Sequence, residues 1–508
     1  MKRRHTRTHN LILIGLALLV MGGCAQRSPD LIPASTLLAE AIPTESSSGA
    51  SVLSAPSVPT AKAAPPTTPT PRPTRQPPEQ LSRTYTVRSG DTLSAIAMLL
   101  DVSIEELMHA NGLTDAHQLS VGQVLQIPMK VTTVGPPDVL IPDSELVYGP
   151  AYTNFDVAAE TGQFPGWFND YSELLANGET LTAAEIVTLV AQEYSVGPRV
   201  LLTLLEMRGG WLTNPDPPPQ ARLYPLGFER DGWDGLAAQL MWAADNLNEG
   251  FYGWLHETLW TVRLNDGSYI QFHPGLNSGT AGLQQMLAQG ADYETLAGRL
   301  QAFDATYRQL WGDPFAYAIE PLLPPEVQAP TLSLPWAEGE TWYYTGGPHG
   351  GWGDGSAWAA LDFATNERNL GCHPSSLWVR AAAPGAIVLS RDGLVLQDLD
   401  GDRTSTTGWV LLYMHMAAEG RVGAGALVET GDPIGHPSCE GGFSNASHLH
   451  FGRRYNGVWI AAEHPRWPLI LGGWAAGNGE RPYDGTLSRG DVVKTAQEDW
   501  IPDNAIEH

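Results

Sequence analysis

The sequence predicts a multidomain protein built from a small β-α-α-β module, a mainly helical middle region and a C-terminal antiparallel all-β domain. Three observations carry this. The chain has 508 residues, of which 43% are hydrophobic, enough for about three domains of ordinary size. Apolar residues recur at helical spacing between Ala183 and Asn248, then give way to short strand-like runs with glycine-rich turns after residue 330. Ahead of both, ten of residues 41–80 are proline, which sets the N-terminal stretch apart from any packed domain.

The N-terminus reads as a targeting segment. Lys2, Arg3, Arg4 and Arg7 precede the apolar run Leu11–Met21, which is too short to span a bilayer comfortably. Gly22-Gly23-Cys24 follows and resembles the lipobox of bacterial lipoproteins. That resemblance implies a signal peptide over 1–23 and lipidation of Cys24. The alternative is an ordinary signal peptide with a chance cysteine. Both place the mature chain outside the cytoplasm, the first anchored to the bacterial cell membrane by lipid. A net charge of −26 argues against nucleic acid as a partner and against electrostatic docking on anionic lipid. In an oxidising compartment the remaining cysteines, Cys372 and Cys439, are expected to form a disulfide. Zinc thiolates would call for a CxxC spacing that is absent.

Residues 24–83 are rich in Pro, Ser, Thr and Ala and poor in aromatics. Such a segment buries too little to offset chain entropy and is expected to be a disordered tether. At about 3.1 Å per residue it reaches on the order of 100 Å.

Residues 84–130 contain a short strand at Tyr85-Thr86-Val87, a helix from Thr92 to Leu100, and a second helix opened by a Ser103–Glu106 capping box. Val124-Leu125-Gln126-Ile127-Pro128 closes the unit as a strand. Ser89-Gly90-Asp91-Thr92-Leu93, Ile96-Ala97, Asn111-Gly112-Leu113 and Val121 to Pro128 make nearly the whole unit similar to the LysM domain. The resemblance implies binding to N-acetylglucosamine-containing glycans such as peptidoglycan.

The middle region, 140–328, carries helical patterns over Ala183–Tyr194, Pro198–Met207 and Leu236–Asn248. The stretch Val196 to Glu206 is faintly similar to the first helices of lysozyme-like transglycosylases. In that family a catalytic Glu precedes a Ser-Gly pair; here Arg208 stands in its place, before Gly209-Gly210. Glu206 lies two positions earlier, on another helical face. With no evident proton donor for glycoside cleavage, this region is read as a structural or wall-binding helical domain of unknown role rather than an active glycosidase.

Residues 330–475 are expected to form the β domain, with 476–508 as a C-terminal tail. His448 and His450 lie two apart on a predicted strand, so both rings reach one face. Gly347-Pro348-His349-Gly350, Ala360-Leu361-Asp362-Phe363-Ala364 and Tyr413-Met414-His415-Met416 supply further candidates. Together these segments resemble the lysostaphin/LytM-type zinc endopeptidases of peptidoglycan. Ala381 to Val388 and Gly431-Asp432-Pro433-Ile434-Gly435 fit the same register. The resemblance implies Zn²⁺ held by His349, Asp362 and His450, with His415 and His448 as the catalytic pair.

One departure stands out. The family usually sets its Asp much closer to the first His, whereas His349 and Asp362 are thirteen residues apart here, with a Gly-rich insert between them. Loop lengthening is thermodynamically cheap, and Asp362 sits in an apolar strand; Asp354, inside the insert, is the rival ligand. His373 and His436 read as loop residues. Asp398-Leu399-Asp400-Gly401-Asp402 resembles the start of a calcium loop, but Trp409 occupies the place of its bidentate Glu, so a hairpin turn is expected.

The leading expectation is therefore a zinc metalloendopeptidase that cleaves peptide cross-links or stem peptides of peptidoglycan while LysM holds the wall. The alternatives are a non-catalytic wall-binding lipoprotein that regulates another cell-wall hydrolase, and a glycan-cleaving middle domain.

Overall fold

The computed structural model describes residue 75 and residues 82–100, 102–129, 131–368 and 370–508. The expected signal segment, Cys24 and nearly all of the expected tether lie outside them. Among the described residues no helix is long and apolar enough to cross a membrane.

The N-terminal module has the expected order. Strand Ser82–Thr86 pairs antiparallel with Val124–Pro128, and helices Leu93–Leu100 and Ile104–Ala110 lie between them. Ser103 and Glu106 cap each other's backbone: Glu106 N–H donates to Ser103 Oγ at 3.1 Å, and Ser103 N–H to the Glu106 carboxylate at 2.9 Å. Leu93, Ile96, Leu107, Leu125 and Ile127 close a small core of their own, each fully buried side chain contributing roughly 1.5–3 kcal/mol. Asn111 joins the second helix to the closing strand by accepting from Gln126 N–H at 2.6 Å and donating to its carbonyl at 2.7 Å.

The middle region is mainly helical. Its helices include Ala183–Tyr194, Pro198–Gly209, Leu236–Leu255, Ser278–Leu287 and Tyr293–Trp311. Val200, Leu201, Leu202, Leu204 and Leu205 are all buried, so Pro198–Gly209 is the central helix, apolar on every side. Arg199 at its start reaches Glu145 at 2.7 Å, and the hydroxyls of Tyr152 and Tyr307 each donate to the same carboxylate at 2.6 Å. At its other end Glu206 accepts from Leu212 N–H at 2.8 Å and from Thr213, capping the chain that leaves the helix.

The C-terminal domain is built on a nine-stranded sheet whose pairings are all antiparallel. Across it run Leu427–Val428, Gly385–Arg391, Leu394–Asp398, Trp409–Met414, Leu449–Tyr455, Trp358–Ala364, Thr341–Gly350 and Ala505–Glu507, and the ninth strand, Val458–Trp459, pairs with Leu449–Tyr455 off this path. Its central strands are buried on both faces, which explains their near-continuous apolar sequence. On one face Leu361, Phe363, Tyr413 and Phe451 join a core with Trp342 and Trp474. On the other, Val410, Leu412 and Trp459 share a core with the middle-region helices. Tyr252 there accepts from Trp459 N–H at 2.9 Å, and Ser195 Oγ donates to Gly457 O at 2.6 Å.

Residues 476–508, read from the sequence as a tail, are structured. Trp474–Asn478, Gly485–Arg489 and Val492–Thr495 belong to a four-stranded sheet, and Ala505–Glu507 pairs with Thr341–Gly350 in the main sheet. Leu487 and Ile506 are fully buried, which ties this stretch to the domain. The Asp398–Asp402 segment is a turn: the Asp398 carboxylate accepts from the N–H groups of Asp400, Gly401 and Arg403 at 2.9–3.1 Å.

Candidate metal centre

Strand pairing builds the site. Leu449–Tyr455 lies between Trp358–Ala364 and Trp409–Met414, with His450 opposite Asp362 on one side and opposite Met414 on the other. Thr341–Gly350 borders Trp358–Ala364 and sets Gly346 across from Asp362. His349 arrives from this edge and His415 from the end of Trp409–Met414. Strand register thus brings His349 and His450, 101 positions apart, to one place.

His349 Nε2 lies 2.9 Å from His450 Nδ1, His450 Nδ1 lies 3.1 Å from Asp362 Oδ1, and His349 Nε2 lies 3.3 Å from that oxygen. All three side chains are buried. Each ring commits its outer nitrogen to a carbonyl: His349 Nδ1–H donates to Gly347 O at 2.7 Å and His450 Nε2–H to Gly351 O at 3.0 Å. In the neutral rings both inner nitrogens therefore carry lone pairs aimed at each other and at a carboxylate, and such a set calls for a shared cation.

The electrostatics point the same way. Burial alone would raise the Asp362 carboxyl, but His349 and His448 outweigh it and hold it well below the usual carboxylate range. Burial pulls His349 down, yet Asp362 and the Gly347 carbonyl leave it raised. Burial lowers His450 against the pull of Asp362, so the ionised carboxylate is what draws positive charge to this pocket. Ligands at about 2.0–2.1 Å in a tetrahedral site stand roughly 3.3 Å apart, close to the separations here. Two imidazoles and a carboxylate, with carbonyls orienting the rings, fit Zn²⁺.

The other two histidines of the expected set are brought to the same place. His448 Nε2 is 3.6 Å from Asp362 Oδ1, and the His415 and His448 ring centroids are 4.4 Å apart. His415 Nδ1–H donates to Glu440 O at 3.1 Å and His448 Nδ1–H to Ala446 O at 2.8 Å. Burial pushes His415 down to about 3, with His448 and His450 adding to the shift. Both rings thus present Nε2 as the free lone-pair atom. Asp354 is exposed and stands outside the cluster.

Cys372 and Cys439 are disulfide-bonded, with Cα atoms 5.1 Å apart. The insert between His349 and Asp362 is gripped by the middle region: Gly355 N–H donates to Asp245 Oδ1 at 2.8 Å. A Cβ at Gly355 would lie 2.0 Å from Asp245 O, so only glycine fits there.

The sequence reading missed Tyr483. Its ring stacks on His349 with centroids 4.1 Å apart and planes 20° apart. Gly347 N–H donates to its carbonyl at 2.7 Å, and its φ of +71° marks a backbone held in place by its surroundings. It lies within the stretch taken for a tail, and an aromatic between Pro482 and Asp484 carries no motif that would reveal it.

The fold and site define a two-face-covered antiparallel sheet that presents a buried His/Asp/His centre with two free imidazoles beside it. Residues 139–325 match the family described as LasA, N-terminal domain, and residues 85–128 the LysM domain. Over 351 residues the chain is 28% identical to Protease LasA of Pseudomonas aeruginosa, an alignment covering 64% of this chain and 77% of that protein. Among solved structures, the M23 metalloprotease pseudoalterin shares 25% identity over 33% of this chain and 96% of its own, with a TM-score of 0.28. The catalytic domain of lysostaphin from Staphylococcus simulans shares 26% over 24% of this chain and 90% of its own, with a TM-score of 0.18. The sequence matches support a peptidase that carries a LysM module.

Proposed function

We propose that this protein is a zinc-dependent endopeptidase that cleaves peptide cross-links or stem peptides of bacterial peptidoglycan. The observation that carries the reading is the convergence of His349 Nε2, His450 Nδ1 and Asp362 Oδ1 within 3.3 Å of one another, with both outer ring nitrogens engaged by carbonyls. His349, Asp362 and His450 would hold the zinc. When bound, zinc polarises a scissile carbonyl and lowers the pKa of a water.

The protein's own groups move the protons. With Nδ1–H given to Glu440 O, His415 offers Nε2 to take a proton from the attacking water. His448, restrained in the same way by Ala446 O, shares that proton and returns it to the departing amine. A ring that has become cationic also stabilises the charge on the carbonyl oxygen.

The LysM module supplies the wall contact by binding glycan. The N-terminal segment, cleaved and lipidated at Cys24, would tether the protein outside the cytoplasm on the bacterial membrane. Digestion of purified, cross-linked peptidoglycan followed by mass analysis of the products tests the reaction. New amine and carboxylate termini in the peptides are expected; products with new reducing or anhydro-sugar ends and intact peptides would sink it.

A further inference from the structure

The residues that hold His415 converge on one short segment, and a covalent cross-link ends inside it. His415 follows strand Trp409–Met414 with φ +67°, a conformation that a histidine keeps only when its surroundings fix it. Its carbonyl accepts from Ser438 N–H at 2.6 Å and from Ser438 Oγ–H at 3.0 Å. Its Nδ1–H donates to Glu440 O. Glu440 in turn donates its N–H to Ser438 Oγ at 3.0 Å, and its carboxylate accepts from Ala418 N–H at 2.9 Å and lies 3.5 Å from Arg421. Between Ser438 and Glu440 stands Cys439, bonded to Cys372.

The other end of the bridge is tied to the same region. Gly371 O accepts from Ser447 N–H at 2.7 Å, next to His448, and Ser375 N–H donates to Pro437 O at 2.8 Å. The loop after the Asp362 strand, the support of His415 and the approach to His448 are therefore one cross-linked unit. The ligand set depends on something else, the pairing of Trp358–Ala364 with Leu449–Tyr455 and with Thr341–Gly350.

We propose that the Cys372–Cys439 bridge is a positioning device for the His415–His448 pair. Through Ser438 and Glu440 it fixes His415 in the tautomer that leaves Nε2 free to take a proton. The proposal rests on the peptidase reading and adds to it a division of labour: paired strands hold the metal, and the bridge holds the proton-transfer group.

The full-length Cys372→Ser/Cys439→Ser variant, zinc-loaded, tests this on a cross-linked muropeptide dimer. Zinc content equal to wild type, KM within about 2-fold and kcat lower by on the order of 10- to 100-fold are expected. Long-range ¹H–¹⁵N spectra of the histidine rings should show a single Nδ1–H form of His415 in the wild type and a tautomer mixture in the variant. Unchanged kcat with the Nδ1–H form retained would overturn the proposal, as would loss of zinc along with activity. Should the double variant fail to fold, Ser438→Ala keeps the bridge and removes one link to His415. A several-fold lower kcat with mixed tautomers supports the device, and wild-type behaviour in both readouts overturns it. A zinc-loaded wild type that leaves the dimer intact would refute the peptidase reading, and the ring spectra would still decide the positioning.

Discussion

His450 stands directly across from Asp362 in the antiparallel register of two neighbouring strands, with its Nδ1 3.1 Å from the carboxylate. A register is all-or-none, because a one-residue slip turns every side chain to the other face. Two of the proposed ligands are thus set by the same pairing that builds the domain.

Gly346 tests how tightly the carboxylate is confined. A Cβ there would meet Asp362 Oδ2 at 2.5 Å and its Cγ at 2.9 Å. Gly346→Ala is expected to displace the carboxylate, lowering zinc affinity about 10- to 100-fold, as loss of ligand orientation does. It should also lower stability by about 1–3 kcal/mol. A competitive zinc titration and a denaturant melt on the same sample check both.

Asp354 and Asp362 should separate cleanly. Asp354 is exposed and outside the cluster, so Asp354→Ala is expected to bind zinc as the wild type does. Asp362→Ala should lose it. Equilibrium dialysis against zinc decides between them, and weakened binding in Asp354→Ala would make the insert part of the centre.

Much of this was legible in the sequence, and what was not has a physical reason. Helix Ala183–Tyr194 begins and ends where its apolar spacing places it, since that signal is local. The five candidate residues could be picked out because the His448/His450 pair has strand spacing and the segments around His349, Asp362 and His415 resemble one family, and the structure brings their side chains close together. The strands beyond residue 476 were not legible. They are at most five residues long and split by glycine and charged turns, and the last, Ala505–Glu507, is paired by a distant strand that sets Trp342 opposite Ile506. The grip of Asp245 on the insert is likewise a contact between residues 110 positions apart, for which no local pattern exists.

Glu193 gives a pH signature. It is buried where helix Ala183–Tyr194 faces the β domain, and burial raises its carboxyl to about 8 against the pull of Arg391, with Asp392 adding to the rise. The folded state therefore keeps a proton that the unfolded chain releases near the ordinary 4.5. Stability from this group is full below that pH and declines as pH rises towards about 8, by roughly 3–5 kcal/mol in all. Denaturant melts at stepped pH should show the decline in wild type and a flatter profile in Glu193→Gln. Equal slopes would remove Glu193 from the account.

Arg199 and Glu145 form a fully buried pair that two tyrosine hydroxyls complete. Arg199→Met leaves the carboxylate without its cation, a change that typically costs about 3–5 kcal/mol. Urea unfolding should show a lower midpoint, while zinc content of the distant centre stays at the wild-type value.

The central claim is that His349, Asp362 and His450 bind one zinc ion. Metal analysis after dialysis, made in parallel on wild type and on His349→Ala, Asp362→Ala and His450→Ala, tests it most directly. About one zinc per wild-type chain is expected, with little retained in each folded variant. A folded wild type without zinc, or a His450→Ala variant that keeps its zinc, would contradict the account.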